Sequence, residues 1–205
     1  MQLKRSSRRT LLTIILVGLS FCLGFIFNSV LRIGSPSDSI PLTANIIDLY
    51  RQGKVDSGLP LPIRLRIPEI NVSATVEQVG LTSDWSMGVP KGPSDAGWFD
   101  LGPHPGEVGS AVIAGHYGWK NGIPAVFDNL HNLVKGDKIY VEDETGTTTI
   151  FVVRELRIYG QNDDASAVFT SSDGKAHLNL ITCEGVWSTR TKSYANRLVA
   201  FADKE

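Results

Sequence analysis

The hydrophobic pattern divides the chain into one long apolar run near the N-terminus and a longer stretch of short alternating segments. The run extends from about Leu11 to Leu31 and contains no charged residue. At a rise of about 1.5 Å per residue, roughly 20 helical residues span the ~30 Å hydrocarbon core of a membrane. We therefore expect one transmembrane helix over residues 11–31.

Basic residues precede this run, with no acidic residue near them: Lys4, Arg5, Arg8 and Arg9. The excess of positive charge predicts that residues 1–10 stay in the cytoplasm and that everything after Arg32 lies outside. A cleaved signal peptide is the alternative, but its apolar region would be about 7–15 residues long and a small-residue cleavage site would follow it. Residues 25–30 offer no such site, so an uncleaved anchor in the cell membrane is favoured.

Residues 32–60 have the composition of an extracytoplasmic stalk. Prolines with Ser and Gly between them punctuate this region, at Pro36, Pro41, Pro60 and Pro62. Within it the pattern favours a short helix from Thr43, which can cap it, to about Gln52. We expect a spacer that holds the following domain, residues 61–205, away from the membrane.

From residue 61 onward the pattern is that of short strands. Residues 63–67 alternate strictly between apolar and polar, as a half-buried strand does, and 111–114 are fully apolar, as in a central strand. Glu144-Thr145-Gly146 predicts a hairpin turn. Further strands are predicted at 74–79, 138–142, 147–157, 177–182 and 198–201. Several short strands with Gly- and Pro-rich turns indicate an all-β barrel or sandwich.

Composition narrows the class of protein further. The chain has 205 residues, of which 42% are hydrophobic and 20% charged, and its formal net charge is -1. These values suit one globular domain plus a small additional segment, and they argue against wholesale disorder. Nothing in the charge balance indicates a nucleic-acid partner.

Cysteine usage draws attention to one thiol. The chain has two cysteines, Cys22 inside the predicted membrane span and Cys183 far outside it, so no intramolecular disulfide is expected. A free thiol in an oxidising exterior compartment is a liability unless it has a task. This raises the expectation that Cys183 is reactive, although an inert buried thiol is the commoner fate of a lone cysteine.

Three residues at the ends of predicted strands carry the candidate chemistry: His116, Cys183 and Arg197. If the last two strands pair antiparallel, Cys183 and Arg197 share one rim of the barrel. A thiol must become a thiolate to attack a carbonyl, and a nearby imidazole supports this. A guanidinium stabilises the oxyanion of the tetrahedral intermediate. The intervening segments 161–176 and 184–196 are expected to be long loops, which are often functional.

The local sequence around these residues resembles the sortase family. Leu180-Ile181-Thr182-Cys183 resembles the Leu-x-Thr-Cys signature, residues 111–116 resemble the apolar strand ending in Ala-Gly-His, and 196–199 resemble the last-strand Arg followed by apolar residues. The order His, Cys, Arg agrees, and so does Gly136-Asp137 before a strand. The resemblance covers residues 63–203. Segments 102–107 and 182–185 most resemble class F.

The resemblance implies a closed eight-stranded barrel with short helices and cleavage of a Leu-Pro-x-Thr-Gly-like sorting signal between Thr and Gly. Cys183 would hold the thioester, His116 would act as general acid and then base, and Arg197 would hold the substrate backbone and the oxyanion. The acyl group of a secreted protein would pass to an amine of a peptidoglycan precursor or a pilin lysine. Thr182 is a candidate to hydrogen-bond substrate through its hydroxyl, with a structural role in the strand as the alternative. Trp119 and Trp187 lie near the motif residues in sequence and are candidates to line the substrate groove, with core or rim packing as the alternative. No cofactor is implied.

Other functions fit less well. Papain-like peptidases place the Cys before the His, and L,D-transpeptidases have a Ser-His-Gly-Cys-Arg run, whereas here Cys183 follows the His and precedes Glu184-Gly185. A catalytically inactive, membrane-anchored barrel that acts as a binding module is the alternative that remains. His104, His131 and His177 are expected to be surface or structural residues. The spacing of 104, 116 and 131 matches no zinc pattern, so no metal site is expected.

Overall fold

A computed structural model describes residues 58–160, 162–190 and 193–205. The predicted cytoplasmic tail, membrane helix and 43–52 helix, and nearly all of the stalk, lie outside the described residues and stay predictions. Within the described part of the chain, no helix has the length and apolarity needed to cross a membrane.

The described residues form a closed barrel of eight strands, which the resemblance implied and which settles the choice between barrel and sandwich that the strand pattern left open. Around the barrel the order is β1-β2-β3-β4-β7-β8-β6-β5, and pairing of β5 with β1 closes it. The strands are β1 (Pro62–Ile67), β2 (Val72–Val79), β3 (Ala96–Phe99), β4 (Gly109–Gly115), β5 (Lys138–Asp143), β6 (Thr148–Gly160), β7 (Ala176–Ser188) and β8 (Ser193–Lys204).

Two parallel pairings, β2 with β3 and β4 with β7, interrupt an otherwise antiparallel barrel. The β4–β7 pairing matters most for the site, because parallel strands run toward the same rim of a sheet. β8 runs antiparallel to β7 and therefore enters the barrel at that rim. The end of β4 is brought beside the middle of β7 and β8 in this way, since both of those strands continue past the rim.

Alternation along the strands directs one set of side chains into the barrel. On β7, Leu178, Leu180 and Thr182 are buried on the inner side. Trp98, Phe127 and Phe151 are the largest fully buried side chains and fill the interior with the aliphatic residues of the other strands. Burial of this apolar surface, at about 25 cal/mol per Å², is the main force that closes the barrel.

A second, smaller apolar cluster covers the outer face of β4, β7 and β8. The one-turn helix α1 (Ser166–Phe169) places the fully buried Val168 against Val112, Val199 and Phe201. The Asn179 side-chain amide donates to the Val168 carbonyl at 2.6 Å, which ties α1 to β7. The 161–176 segment, predicted to be a long loop, is therefore pinned to the barrel through this helix.

Short 3-10 helices occupy three connections, at Pro68–Ile70, Lys120–Gly122 and Leu130–Asn132. The predicted hairpin turn follows β5, where Asp143 Oδ1 accepts hydrogen bonds from the Thr145 and Thr147 amides at 2.9 and 3.0 Å. This carboxylate holds the turn that the sequence indicated at 144–146.

The expectation of a long loop over 184–196 is wrong. β7 continues to Ser188 and β8 begins at Ser193, so the two strands extend as a hairpin beyond the rim of the barrel. Trp187 pairs with Tyr194, with a register shift between Glu184 and Trp187. The aromatic and β-branched residues of this segment favour paired strands.

Candidate active site

The three candidate catalytic residues meet at the rim of the barrel where β4 ends. Cys183 and Arg197 are direct cross-strand partners on β7 and β8. On the other side of β7, Ala114 of β4 is paired with Ile181, and His116 follows β4 directly. His116 and Cys183, which are 67 residues apart in the sequence, thus share one rim of the barrel.

A buried hydrogen bond fixes the end of β4 to β7. The Thr182 hydroxyl donates to the Gly115 carbonyl oxygen at 2.8 Å, and Thr182 is only 3% exposed. Because both groups are buried, loss of this bond would leave a polar group without its partner.

His116 is held from several directions. Its Nε2 lies 2.7 Å from the Pro90 carbonyl oxygen, and since a carbonyl only accepts, Nε2 carries the proton and donates. The Phe127 amide donates to the His116 carbonyl oxygen at 3.0 Å. The Trp119 ring meets the imidazole nearly edge-on at a centroid distance of 4.6 Å. Nδ1 has no hydrogen-bond partner among the described residues, so it is the ring nitrogen available for proton transfer.

Gly115 allows close packing beneath this histidine. A Cβ atom at this position would lie 2.3 Å from Cδ2 of Phe127 and 2.6 Å from the Val126 side chain. Only glycine permits Phe127 to enter the barrel directly under the histidine segment. The glycine before His116 is therefore a packing requirement.

Cys183 is a free, half-buried thiol whose pKa reflects two opposing effects. Burial raises the pKa of the thiol, because the thiolate loses hydration, and the positive charge of Arg197 lowers it. Arg197 Nη1 donates to the Asn196 carbonyl oxygen at 2.9 Å and to that of Tyr194 at 3.3 Å. Among the described residues its other N–H groups have no hydrogen-bond partner, so they can face a bound carbonyl or oxyanion.

The thiol opens into a groove of about 660 Å³ with aromatic walls. The segment after β4 contributes His116, Trp119 and Lys120, and the β7–β8 hairpin contributes Cys183, Trp187, Tyr194 and Arg197. Tyr194 bridges the two walls, because its ring centroid is 5.5 Å from that of Tyr117 and 5.2 Å from that of Trp187. We call this cavity the aromatic groove.

A second, smaller cavity of about 280 Å³ lies on the other side of Arg197. Ile181, Val199 and Val168 give it apolar surface, and Tyr159 and Asp163 also line it. Arg197 lines both cavities, so it stands between them. We call this cavity the apolar pocket.

Comparison with known proteins identifies the family. The family model described as the sortase domain matches residues 65–205, which is more than half of the chain. The chain belongs to the sortase family. It is therefore a cysteine transpeptidase.

Solved structures of sortases share the fold of this sortase at low sequence identity. Sortase C-1 from Actinomyces oris is 22% identical with a TM-score of 0.56, covering 76% of this chain and 81% of that one. The pilus-related sortase C of Group B Streptococcus is 20% identical with a TM-score of 0.55, covering 71% and 68%. A lid mutant of sortase A from Corynebacterium diphtheriae is 21% identical with a TM-score of 0.56, covering 85% and 83%. No curated protein sequence matches the chain.

The residues that the sequence indicated for substrate contact occupy two different surroundings in this sortase. Trp119 and Trp187 line the aromatic groove, and Trp187 is 49% exposed there. Thr182 is buried on the inner side of the barrel with its hydroxyl directed at Gly115. Contact of Thr182 with substrate stays a prediction. The hydrogen bond of Thr182 links β7 to the end of β4, directly before His116.

Sequence reasoning missed Tyr194 and Lys120 as groove residues. Tyr194 lies three residues before Arg197 on β8, so strict alternation would place the two side chains on opposite faces, yet both line the groove. Lys120 belongs to an irregular segment with no periodicity to follow. No sequence signal available without the fold would have found either residue.

The other histidines of this sortase lie away from the thiol. His177 is buried near the start of β7, with Nδ1 2.7 Å from Asp203 Oδ1 and Nε2 2.9 Å from Asp173 Oδ1. His104 packs against Trp98 at a ring distance of 4.5 Å, and His131 is exposed. Among the described residues, no group of three or more His, Cys, Asp or Glu side chains is arranged to hold a metal ion.

Proposed function

We propose that this sortase cleaves a Leu-Pro-x-Thr-Gly-like sorting signal between Thr and Gly through a thioester on Cys183. The acyl group then passes to an amine acceptor on the cell wall or on a pilin. The observation that carries the proposal is the cross-strand pairing of Cys183 with Arg197, with His116 lining the same groove. A nucleophile, a proton-transfer group and a fixed positive charge are the set that acyl transfer requires.

In the first half-reaction, the Cys183 thiolate attacks the carbonyl carbon of the substrate threonine. The carbonyl oxygen becomes an oxyanion, which the guanidinium of Arg197 stabilises by charge-assisted hydrogen bonds. When the C–N bond breaks, protonated His116 gives its proton to the leaving amine of glycine. The products are a thioester on Cys183, a neutral His116 and the released C-terminal fragment.

In the second half-reaction, an acceptor amine attacks the thioester carbonyl. Neutral His116 takes a proton from the attacking nitrogen, the new C–N bond forms, and the C–S bond breaks. The electron pair of that bond returns to sulfur as the Cys183 thiolate, which the positive charge of Arg197 stabilises. Attack by water instead of the amine would give hydrolysis, so the occupancy of the groove decides between transfer and hydrolysis.

We further propose that this sortase belongs to class F. We also propose that it is a single-pass membrane protein. Segments 102–107 and 182–185 support the subclass, and the apolar run 11–31 with its basic flank supports the anchor. The proposed organisation is a cytoplasmic tail at 1–10, a transmembrane helix at 11–31, a stalk at 32–60 and an extracytoplasmic catalytic domain at 61–205. Its substrates would be secreted proteins that carry a C-terminal sorting signal.

The full-length protein in detergent, incubated with a Leu-Pro-x-Thr-Gly peptide and an amine, tests the chemistry by mass spectrometry. We expect a thioester adduct on Cys183 and cleavage between Thr and Gly, both absent in Cys183→Ala. Cys22→Ser is the matched control and should retain both. A folded protein that forms no adduct with any peptide of a varied library would instead support the inactive binding module.

Membrane fractionation tests the anchor separately. Full-length protein should sediment with membranes and resist extraction by carbonate, and its catalytic domain should be digested by protease added outside the cell. Recovery of the intact chain in the cytosol would contradict the proposed location.

A further inference from the structure

The position of His116 determines from which side the amine approaches. In the proposed function, on which this inference rests, the imidazole exchanges a proton with both the leaving and the attacking amine. Such a transfer needs a heavy-atom distance of about 2.6–3.2 Å. His116 lines the aromatic groove and is not among the described residues that line the apolar pocket. The amine acceptor must therefore enter through the aromatic groove.

This groove presents two cationic side chains to a ligand. Lys120 and Arg197 both line it, and no carboxylate is among its described lining residues. Lys120 is exposed and forms no ion pair within the residues that the structure describes. The neighbouring carboxylate, that of Asp128, accepts hydrogen bonds from the Gly118 and Ala125 amides at 2.6 and 3.0 Å and does not pair with Lys120. Lys120 therefore favours a ligand that brings a negative charge.

The Lys120 ammonium is held in place by the aromatic wall. Its Nζ lies 5.7 Å from the centroid of the Trp119 ring, within the range of a cation–π interaction. The same Trp119 ring contacts the imidazole of His116 at 4.6 Å. Lys120 and His116 thus contact the same indole ring, so a ligand that pairs with the Lys120 ammonium lies near the imidazole of His116.

We propose that Lys120 is a specificity-determining residue that pairs with a carboxylate carried by the amine acceptor. The acceptor class is then a primary amine on an amino acid or peptide that also bears a free carboxylate. The positive charges of the groove also assist the acceptor amine itself, because they favour its neutral, nucleophilic form over the ammonium form. Trp119 positions Lys120, and Tyr194 and Trp187 form the opposite wall.

Two acceptors that differ only in charge test this directly: Nα-acetyl-lysine and Nα-acetyl-lysine amide. The full-length protein, a Leu-Pro-x-Thr-Gly peptide and each acceptor give two values of kcat/KM for transfer, and their ratio is the readout. We expect wild type to prefer the carboxylate by about two- to fivefold, the range of an exposed charge pair, and 0.5 M salt to reduce this preference.

Substitutions at position 120 should change the ratio in an ordered way. Lys120→Gln should bring the ratio of the two kcat/KM values close to one, and Lys120→Glu should reverse the preference. Lys120→Arg should keep the wild-type preference, because arginine keeps the charge and the stacking. Lys175→Gln is the matched control, since Lys175 is exposed and outside the aromatic groove, and it should keep the wild-type ratio.

The outcomes separate this inference from the proposed function. A thioester on Cys183 with a ratio that Lys120→Gln and Lys120→Glu leave unchanged would overturn the role of Lys120 alone. Wild type without any preference between the two acceptors would do the same. Absence of any thioester would contradict the proposed function, and the inference would fall with it.

Discussion

Thr182 and Gly115 are joined by a hydrogen bond of 2.8 Å, in which the threonine hydroxyl donates to the glycine carbonyl oxygen. Thr182 immediately precedes Cys183 on β7, and Gly115 immediately precedes His116 at the end of β4. The bond therefore links the two strands one residue before each proposed catalytic side chain. Any change in the relative position of the strand ends would change the distance between thiol and imidazole.

Replacement of Thr182 by valine, which has the same shape but no donor, should impair both stability and catalysis. Loss of a buried hydrogen-bond partner costs about 1–3 kcal/mol, so the melting temperature should fall by several degrees. Slight misplacement of the histidine segment should lower kcat/KM on the order of tenfold. Thr182→Ser keeps the donor and should stay near wild type in calorimetry and in peptide cleavage. A valine variant with the wild-type rate would contradict a positioning role.

The placement of Cys183 and Arg197 was predictable from the sequence because periodicity and motif coincide there, although both strands extend further than expected. Residues 177–182 alternate, and the alternation puts Leu178, Leu180 and Thr182 inside the barrel, as observed. The antiparallel pairing of the last two strands then requires Cys183 and Arg197 to share a rim. This part of the site follows from local pattern alone.

β3 was not predicted, and its composition explains why. Ala96–Phe99 has only four residues and no apolar–polar alternation. Gly97 would be read as a break in a strand, yet it is required here, because a Cβ atom at this position would lie 2.8 Å from the Val79 side chain. The constraint comes from the neighbouring strand β2, which is distant in sequence, so no local signal reports it.

The aromatic groove was only partly predictable for a related reason. Trp119 and Trp187 were expected near the site because they follow the motif residues closely in sequence. Tyr194 contacts Trp187 as its cross-strand partner, and the register shift between Glu184 and Trp187 creates that pairing. A bulge is a property of two paired strands, and one strand's sequence does not show it.

Removal of the Arg197 charge should make Cys183 less reactive at neutral pH. Arg197 lowers the pKa of the thiol against the opposing effect of burial, so its loss moves that pKa further above the usual value. In a Cys22→Ser background, the pH profile of alkylation by iodoacetamide should shift to higher pH in Arg197→Gln. Arg197→Lys keeps a positive charge and should shift less.

The same two variants should differ from wild type much more in turnover than in alkylation. Loss of an oxyanion donor costs on the order of 10²–10³ in rate, and lysine does not reproduce the planar fork of arginine. Both variants should therefore cleave the peptide slowly. An Arg197→Gln protein with an unshifted alkylation profile would contradict the electrostatic coupling of this pair.

Gly115→Ala should be poorly tolerated although alanine is the smallest change available. The added Cβ would lie 2.3 Å from the Phe127 ring, so the ring or the strand end must move. Overpacking of this kind costs about 1–3 kcal/mol, and the displacement occurs directly before His116. We expect a lower melting temperature and reduced peptide cleavage.

Gly80→Ala is the matched control for this substitution. A Cβ atom at Gly80 would have its nearest contact at 3.5 Å from the Asp100 carboxylate, an ordinary van der Waals distance. Gly80→Ala should therefore change the melting temperature little. Recovery of stability in a Gly115→Ala, Phe127→Leu double variant would identify the ring contact as the cause, and equal stability of Gly115→Ala and wild type would exclude it.

Asp173 should make the stability of the domain depend on pH below about 4. Its Oδ1 accepts hydrogen bonds from Ser171 Oγ at 2.8 Å, His177 Nε2 at 2.9 Å and the Lys175 amide at 3.0 Å. Hydrogen bonding to His177 is the largest cause that holds the pKa of Asp173 well below its ordinary value. An unfolded aspartate titrates at about 3.9. The stabilising contribution is therefore complete above that pH and is lost as the pH falls toward the native pKa.

Asp173→Asn should consequently melt below wild type at pH 6 to 7, and the difference should shrink as the pH falls below about 4. Thermal unfolding followed by circular dichroism between pH 7 and pH 3 measures this. Glu69→Gln, at an exposed position in the Pro68–Ile70 helix, is the control and should follow wild type throughout. A difference between Asp173→Asn and wild type that stays constant with pH would show that side-chain shape, and not the carboxylate charge, stabilises the start of β7.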